Sequence, residues 1–284
     1  MTQVLTPPSV PRATPVDPST ATDARLSAVY LAAVRSEWTK LRTVRSTMWA
    51  LIITVVSTLG FGVLLTAIAV GQWDHRSLAE VRGFDPLLYS YAGLNVAQLC
   101  IGVLGVLVMT SEYATGVIRL TFGATPQRRL LLGAKVLTFS LVVAVVSLLS
   151  CVAVFFLCQG ILATKHAGVS IADPGVFRAV IGGAVHMVFI GVIAVGVGAI
   201  VRHTAGAVAI LFGVLLIIPG LVQLLPAPWN NDITRYLPNS AGAAMSAVVR
   251  FPNLLSPLLG FVVLAAYALA TLAVASVVLV RRDA

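Results

Sequence analysis

Charge is scarce in this chain. Asp, Glu, Lys and Arg make up only 10% of its 284 residues, against roughly 25% in a soluble domain. Six long stretches hold none at all: residues 48–70, 87–110, 136–158, 179–201, 204–225 and 258–280. Scarcity on this scale excludes a soluble globular protein, whose surface helices need polar faces. The phosphate loop Gly-x-x-x-x-Gly-Lys-Ser/Thr is missing, so the chain does not hydrolyse ATP by itself. His-Glu-x-x-His and Gly-x-Ser-x-Gly are missing as well, which removes zinc-protease and α/β-hydrolase chemistry. The uncharged stretches contain no pair of carboxylates, the feature a proton- or sodium-driven carrier uses. Cysteine is rare and odd in number. Cys100, Cys151 and Cys158 all fall within uncharged stretches and read as small apolar residues, with neither a disulfide framework nor a metal pattern.

What is present is apolar length: hydrophobic residues make up 58% of the chain. A hydrocarbon core of about 30 Å takes roughly 20 helical residues at about 1.5 Å each, and each uncharged stretch meets that length. Open sheet edges cannot be satisfied in lipid, so these stretches are helices despite their many Val and Ile residues. The fold class expected is an all-α integral membrane protein with six transmembrane helices and an N-terminal amphipathic interfacial helix. The basic residues between the spans are sorted by side. If the N-terminus is cytoplasmic, thirteen of the 19 Lys and Arg residues share its side and six lie opposite. That bias predicts a multi-pass protein of the cell membrane with both termini cytoplasmic. It also makes the net charge of +9 a topology signal, with no soluble basic domain through which to bind nucleic acid.

Three regions follow from this layout. Residues 1–24 hold five prolines among Thr, Ser and Asp and read as a disordered cytoplasmic tail. Residues 25–47 read as the amphipathic interfacial helix, with Leu26, Val29, Tyr30, Ala33, Leu41 and Val44 on one face and Arg35, Thr39 and Arg42 on the other. Glu37 falls inside the apolar arc, where it needs a cationic or amide partner. Residues 48–284 form the six-span domain. Between spans five and six, residues 226–257 include the small-residue run 241–247, too short to cross. It is either part of a re-entrant helix pair or an ordinary surface helix. His186 is the one ionisable residue well inside a span. With Asn95 and Gln98 it is a candidate for a translocation path, or else for hydrogen bonding between helices.

The loop between spans two and three carries the most information. Val117, Ile118, Leu120 and Phe122 are unusually apolar for a solvated loop and surround Arg119. Thr125-Pro126 is a helix-start signal, so span three begins inside the cytoplasm, and span two continues past Ser111. The pattern Glu-x-x-x-Gly-x-Ile-Arg, then x-Pro-x-Arg and a Lys at the base of the next span, resembles the permease subunits of bacterial ABC-2 type ATP-binding-cassette exporters. It rests on Glu112, Gly116, Ile118, Arg119, Pro126, Arg128 and Lys135. The segment Ser36–Arg42, with Glu37, Trp38, Lys40 and Arg42, looks like the membrane-proximal start of those permeases. The similarity extends over roughly residues 26–284.

The resemblance implies a transmembrane permease subunit that moves a substrate outward, using ATP hydrolysed by a separate cytoplasmic ATP-binding subunit. The loop would be the docking surface for that ATPase, made of Glu112, Gly116, Val117, Ile118, Arg119, Phe122, Pro126, Arg128, Arg129 and Lys135, with Ile118 and Phe122 filling a groove in the partner and Arg119 and Glu112 setting orientation. It implies a second permease copy, as a homodimer or with a related chain. It also implies that this chain binds no cofactor, ATP and Mg belonging to the partner, and is no enzyme. The alternatives are a non-transport polytopic membrane protein, acting as an assembly or sensory partner, and a membrane-embedded enzyme acting on lipids.

Overall fold

A computed structural model describes residues 18–118, 128–249 and 251–281. The chain is helical, and no strand occurs among the described residues. α1 (Pro18–Thr43) is followed by the first span, α2 (Arg45–Gly71). Short α3 (Leu78–Arg82) and α4 (Pro86–Ser90) lead into α5 (Leu94–Ala114), the second span. Then come α6 (Arg128–Leu162), α7 (Val176–Val201) and α8 (Thr204–Val222). Two short helices, α9 (Trp229–Thr234) and α10 (Pro238–Ser246), precede the last span, α11 (Pro257–Arg281). Six of these helices, α2, α5, α6, α7, α8 and α11, are long and apolar enough to cross a membrane.

Several boundaries differ from those read in the sequence. Residues 18–24, expected in the tail, are helical. The second span starts at Leu94 instead of 87, because Asp85 caps α4 through Leu87 and Leu88 N–H and the chain turns before Gly93. Residues 87–90 are apolar, so hydropathy alone could not separate them from the span. α5 runs to Ala114, past Ser111, as the loop pattern predicts; α6 is described from Arg128 onward, and the Thr125-Pro126 start signal lies outside the described residues.

α7 is the hub, packing against α5, α6, α8, α10 and α11. Small residues bring the helices close. A Cβ on Gly105 would stand 2.8 Å from the Gly191 carbonyl and 2.9 Å from Ala194 Cβ. One on Gly198 would stand 2.9 Å from the Val106 carbonyl. The Ala194–Gly198 pair thus serves the α5–α7 crossing, as small-residue spacing allows. The equivalent Ala266–Ala270 pair in α11 is exposed and serves no such contact. α2 turns Thr54, Ser57, Thr58, Gly62 and Thr66 inward. Thr54 and Thr58 donate to carbonyls one turn back at 2.8 Å, which satisfies those hydroxyls without a partner helix. Its outer face, including Ile52, Ile53, Val56 and Leu64, is exposed as a lipid-facing surface requires.

α10 is buried among α7 and α11, the seating a re-entrant helix would have. Gly182 and Gly242 make this possible: a Cβ on either would collide, the first with the Met245 carbonyl and the second with the His186 ring. α8 contains a π turn at Gly213–Ile217, ahead of Pro219. Proline has no N–H, so the Leu215 carbonyl four residues back loses its helical donor. Asn239 Nδ2 of α10 supplies one at 2.9 Å. Gly182→Leu is therefore expected to unseat α10 and lower stability by about 1–3 kcal/mol, read as a thermal shift in detergent. Gly60→Leu, with nothing within 4 Å of its Cβ, is expected to leave the melting temperature unchanged.

Candidate functional site

At the end of the bundle where α1 meets the spans, two glutamates and a lysine are buried together, with a second, half-exposed lysine beside them. α1 turns Tyr30, Ala33, Glu37 and Leu41 toward the bundle, the i, i+3, i+7, i+11 spacing of one helix face. Its main contact is with α6. Glu37, read as inside the apolar arc, is 4% exposed, but the inward face is narrower than that arc, and Val29 and Val44 are exposed. Trp38 and Arg42 lie on the outer side, Trp38 at a position suited to headgroups.

The partner that Glu37 needs is Lys135, whose Nζ donates to Glu37 Oε2 at 2.9 Å and to Glu112 Oε1 at 2.6 Å. Lys40 completes the group, donating to Glu37 Oε1 at 2.8 Å and to Glu112 Oε1 at 2.6 Å. The charges balance, two against two. Lys135 is 1% exposed and Glu112 7%; an unpaired charge at such depth would cost several kcal/mol. The Lys40 side chain is 40% exposed. Burial pulls its pKa down, but hydrogen bonds to Glu112 and Glu37 outweigh this and raise it above its usual 10.5. The contribution of Lys40 is thus complete below pH 10.5 and fades only as pH climbs through the raised value.

The quartet sits at the root of the loop between α5 and α6. Gly116 ends α5 with φ +71°, a conformation that favours glycine. Val117 is exposed and Ile118 is buried. Arg119, Phe122 and Pro126 lie outside the described residues. Arg128 donates to the Leu279 carbonyl at 2.8 Å, and Arg202 to the Val278 carbonyl at 3.2 Å. Two cations thereby meet the carbonyl end of α11, where the helix dipole favours positive charge. Arg202 also lies over the Tyr113 ring, 5.2 Å from its centroid. Arg129 is exposed.

The other sequence candidates are not brought together with this group. His186 is buried against Gly242 of α10, and its Nε2 has no hydrogen-bond partner among the described residues. Gln98 is buried, with Nε2 on the Asn95 carbonyl at 3.3 Å, while Asn95 is exposed on α5.

A second polar lock, not picked out from sequence, closes the opposite end. Asp85 is 1% exposed; beyond capping α4, its Oδ2 accepts from Val248 and Val249 N–H, both at 2.9 Å. Arg178 donates to the Met245 and Ala247 carbonyls at 2.9 and 2.8 Å. Between them they hold the C-terminal end of α10. The sequence signal was an Asp immediately before Pro86, but its second partner lies 163 residues away. Compared with known proteins, the chain matches no protein-family model and no curated protein.

Removing one member of the quartet strands its partners. Lys135→Met is expected to cost about 3–5 kcal/mol in detergent unfolding, and Lys40→Met less, because Lys40 keeps contact with water. Adding Glu112→Gln to Lys135→Met restores the charge balance and is expected to recover part of the loss.

Proposed function

We propose that the chain is the membrane-spanning subunit of an ATP-binding-cassette exporter of the ABC-2 type. It drives a substrate outward across the cell membrane with ATP hydrolysed by a separate cytoplasmic subunit. The observation that carries this reading is convergence. The resemblance rests on separate fragments of sequence, and Glu37 and Lys40 from the first, Glu112 from the second and Lys135 from the third meet in one buried ion cluster. Pairs within it are 72 and 98 residues apart along the chain. The cluster joins α1, α5 and α6 at the base of residues 117–122, the segment proposed to dock on the ATPase.

Mechanical work suits this arrangement. α6 has 35 residues, about 52 Å at 1.5 Å each, so some 20 Å extends beyond a hydrocarbon core of about 30 Å. A push on the loop reaches α6 through its projecting end and α1 through Lys135. Small-residue crossings then pass it to α7, which packs on most of the bundle. Both termini face the cytoplasm in this reading, and a second permease copy, identical or related, completes the pathway.

Replacing residues 117–122 by a Gly/Ser linker is expected to abolish co-purification of the ATP-binding subunit and ATP-dependent transport in vesicles, while the isolated chain, less stable for the loss of buried Ile118, keeps its helical content by circular dichroism. Co-purification that survives the replacement would sink the docking assignment.

A further inference from the structure

Between Asp23 and Asp74 the only acidic residue is Glu37, and the two lysines of the quartet engage it together with Glu112. Arg35, Arg42 and Arg45 are left without a carboxylate. All three are exposed, and their guanidinium groups have neither an ion-pair nor a hydrogen-bond partner among the described residues.

α1 has three faces. Tyr30, Ala33, Glu37 and Leu41 meet the bundle. Ala32, Ser36, Thr39 and Thr43 are exposed together, at the spacing of a second face. Thr39 and Thr43 donate to carbonyls one turn back at 2.9 Å, so that face needs only water. The third face holds Leu31, Arg35, Trp38 and Arg42, again exposed at i, i+4, i+7, i+11. Leu31 is 56% and Trp38 42% exposed. Large apolar side chains interleaved with arginine suit the headgroup layer, where Trp is enriched and a long cationic side chain reaches phosphate.

The same spacing continues on the first span. Val44 is the one residue between α1 and α2. On α2, Arg45, Trp49, Ile52 and Val56 form an exposed stripe. Ile52 and Val56 are lipid-facing, and Arg45 stands about 10 Å along the helix from Ile52, at the level of the phosphates. Charge then selects the kind of lipid. A zwitterionic head brings its own cation against three unpaired arginines, whereas a head of net negative charge brings none. Arginine also offers paired N–H donors that fit phosphate oxygens.

We propose that this arginine–tryptophan surface is a binding site for an anionic phospholipid from the leaflet on the α1 side. Its phosphate accepts from Arg42 and Arg45, Arg35 adds to the positive field, and its chains run over Trp49, Ile52 and Val56. The site stands apart from the exporter reading, since it needs neither an ATPase nor a transported substrate.

Native mass spectrometry of the full chain in detergent tests it with three probes. These are phosphatidylglycerol, phosphatidylcholine with the same acyl chains, and water-soluble glycerophosphoglycerol. Phosphatidylglycerol is expected to be retained about tenfold over phosphatidylcholine. Arg42→Gln and Arg45→Gln are each expected to lower that preference about fivefold, the effect of one basic residue at an anionic surface. Arg281→Gln removes the same charge from the exposed end of α11 and is expected to leave the preference unchanged. Equal retention of the two lipids by the wild-type chain overturns the site. So does a preference that survives the combined Arg35, Arg42 and Arg45→Gln variant with wild-type helical content by circular dichroism. If that variant loses the ATP-binding subunit while keeping its lipid preference, the surface belongs to a protein partner. An equal loss in Arg281→Gln overturns the site as an effect of net charge alone. Displacement by an equal concentration of glycerophosphoglycerol overturns it as well, because the ligand would then be a soluble phosphate and no lipid.

Discussion

Two glutamates and a lysine removed from water, with a second lysine at their edge, have to find each other, and the N-terminal end of this bundle is organised around that requirement. Lys135 is almost completely buried, and neither carboxylate alone would balance both it and Lys40. Only when α1 lies along α6, and α5 ends beside both, are all four charges paired at 2.6–2.9 Å. Because a single missing member leaves a buried charge, the group favours one arrangement of three chain segments over all near alternatives. Such a cluster adds less to net stability than to specificity, since desolvation offsets much of the Coulomb attraction.

The opposite end uses polar backbone groups in place of ion pairs. Asp85 and Arg178 take up the free N–H and C=O groups where α10 stops, groups that lipid could not satisfy. Asn239 does the same for the carbonyl freed by Pro219. The middle of the bundle has little polar bonding between helices. It relies on close approach at Gly105, Gly191 and Gly198, which gains dispersion contacts where no hydrophobic effect operates. Both ends are locked by specific polar contacts, while the centre is apolar and small.

The spans were legible because one physical constraint acts on them locally. About 20 apolar residues must cross about 30 Å, whatever the neighbours are. Ends were less legible. Leu87 and Leu88 are as apolar as any span residue, and only the capping of α4 by Asp85 assigns them to a separate turn of helix. The need of Glu37 for a partner was readable from its position in an apolar arc. The identity of that partner, 98 residues away, was not. The small-residue run at 241–247 could be recognised as too short to cross, but its seat against Gly182 and Gly242 depends on helices distant in sequence.

By itself, then, the sequence determined the helical class, the six helices long and apolar enough to cross a membrane, and the helix that leads into them. Each of these follows from the cost of placing charge or bare backbone in lipid, a cost paid residue by residue. Tertiary structure decided which polar residues belong together. Pairing of Lys135 with Glu37 and Glu112, of Asp85 with Val248 and Val249, and of Asn239 with Leu215 depends on helix packing. Packing is set by many small contacts at once, and no local stretch of chain records their sum.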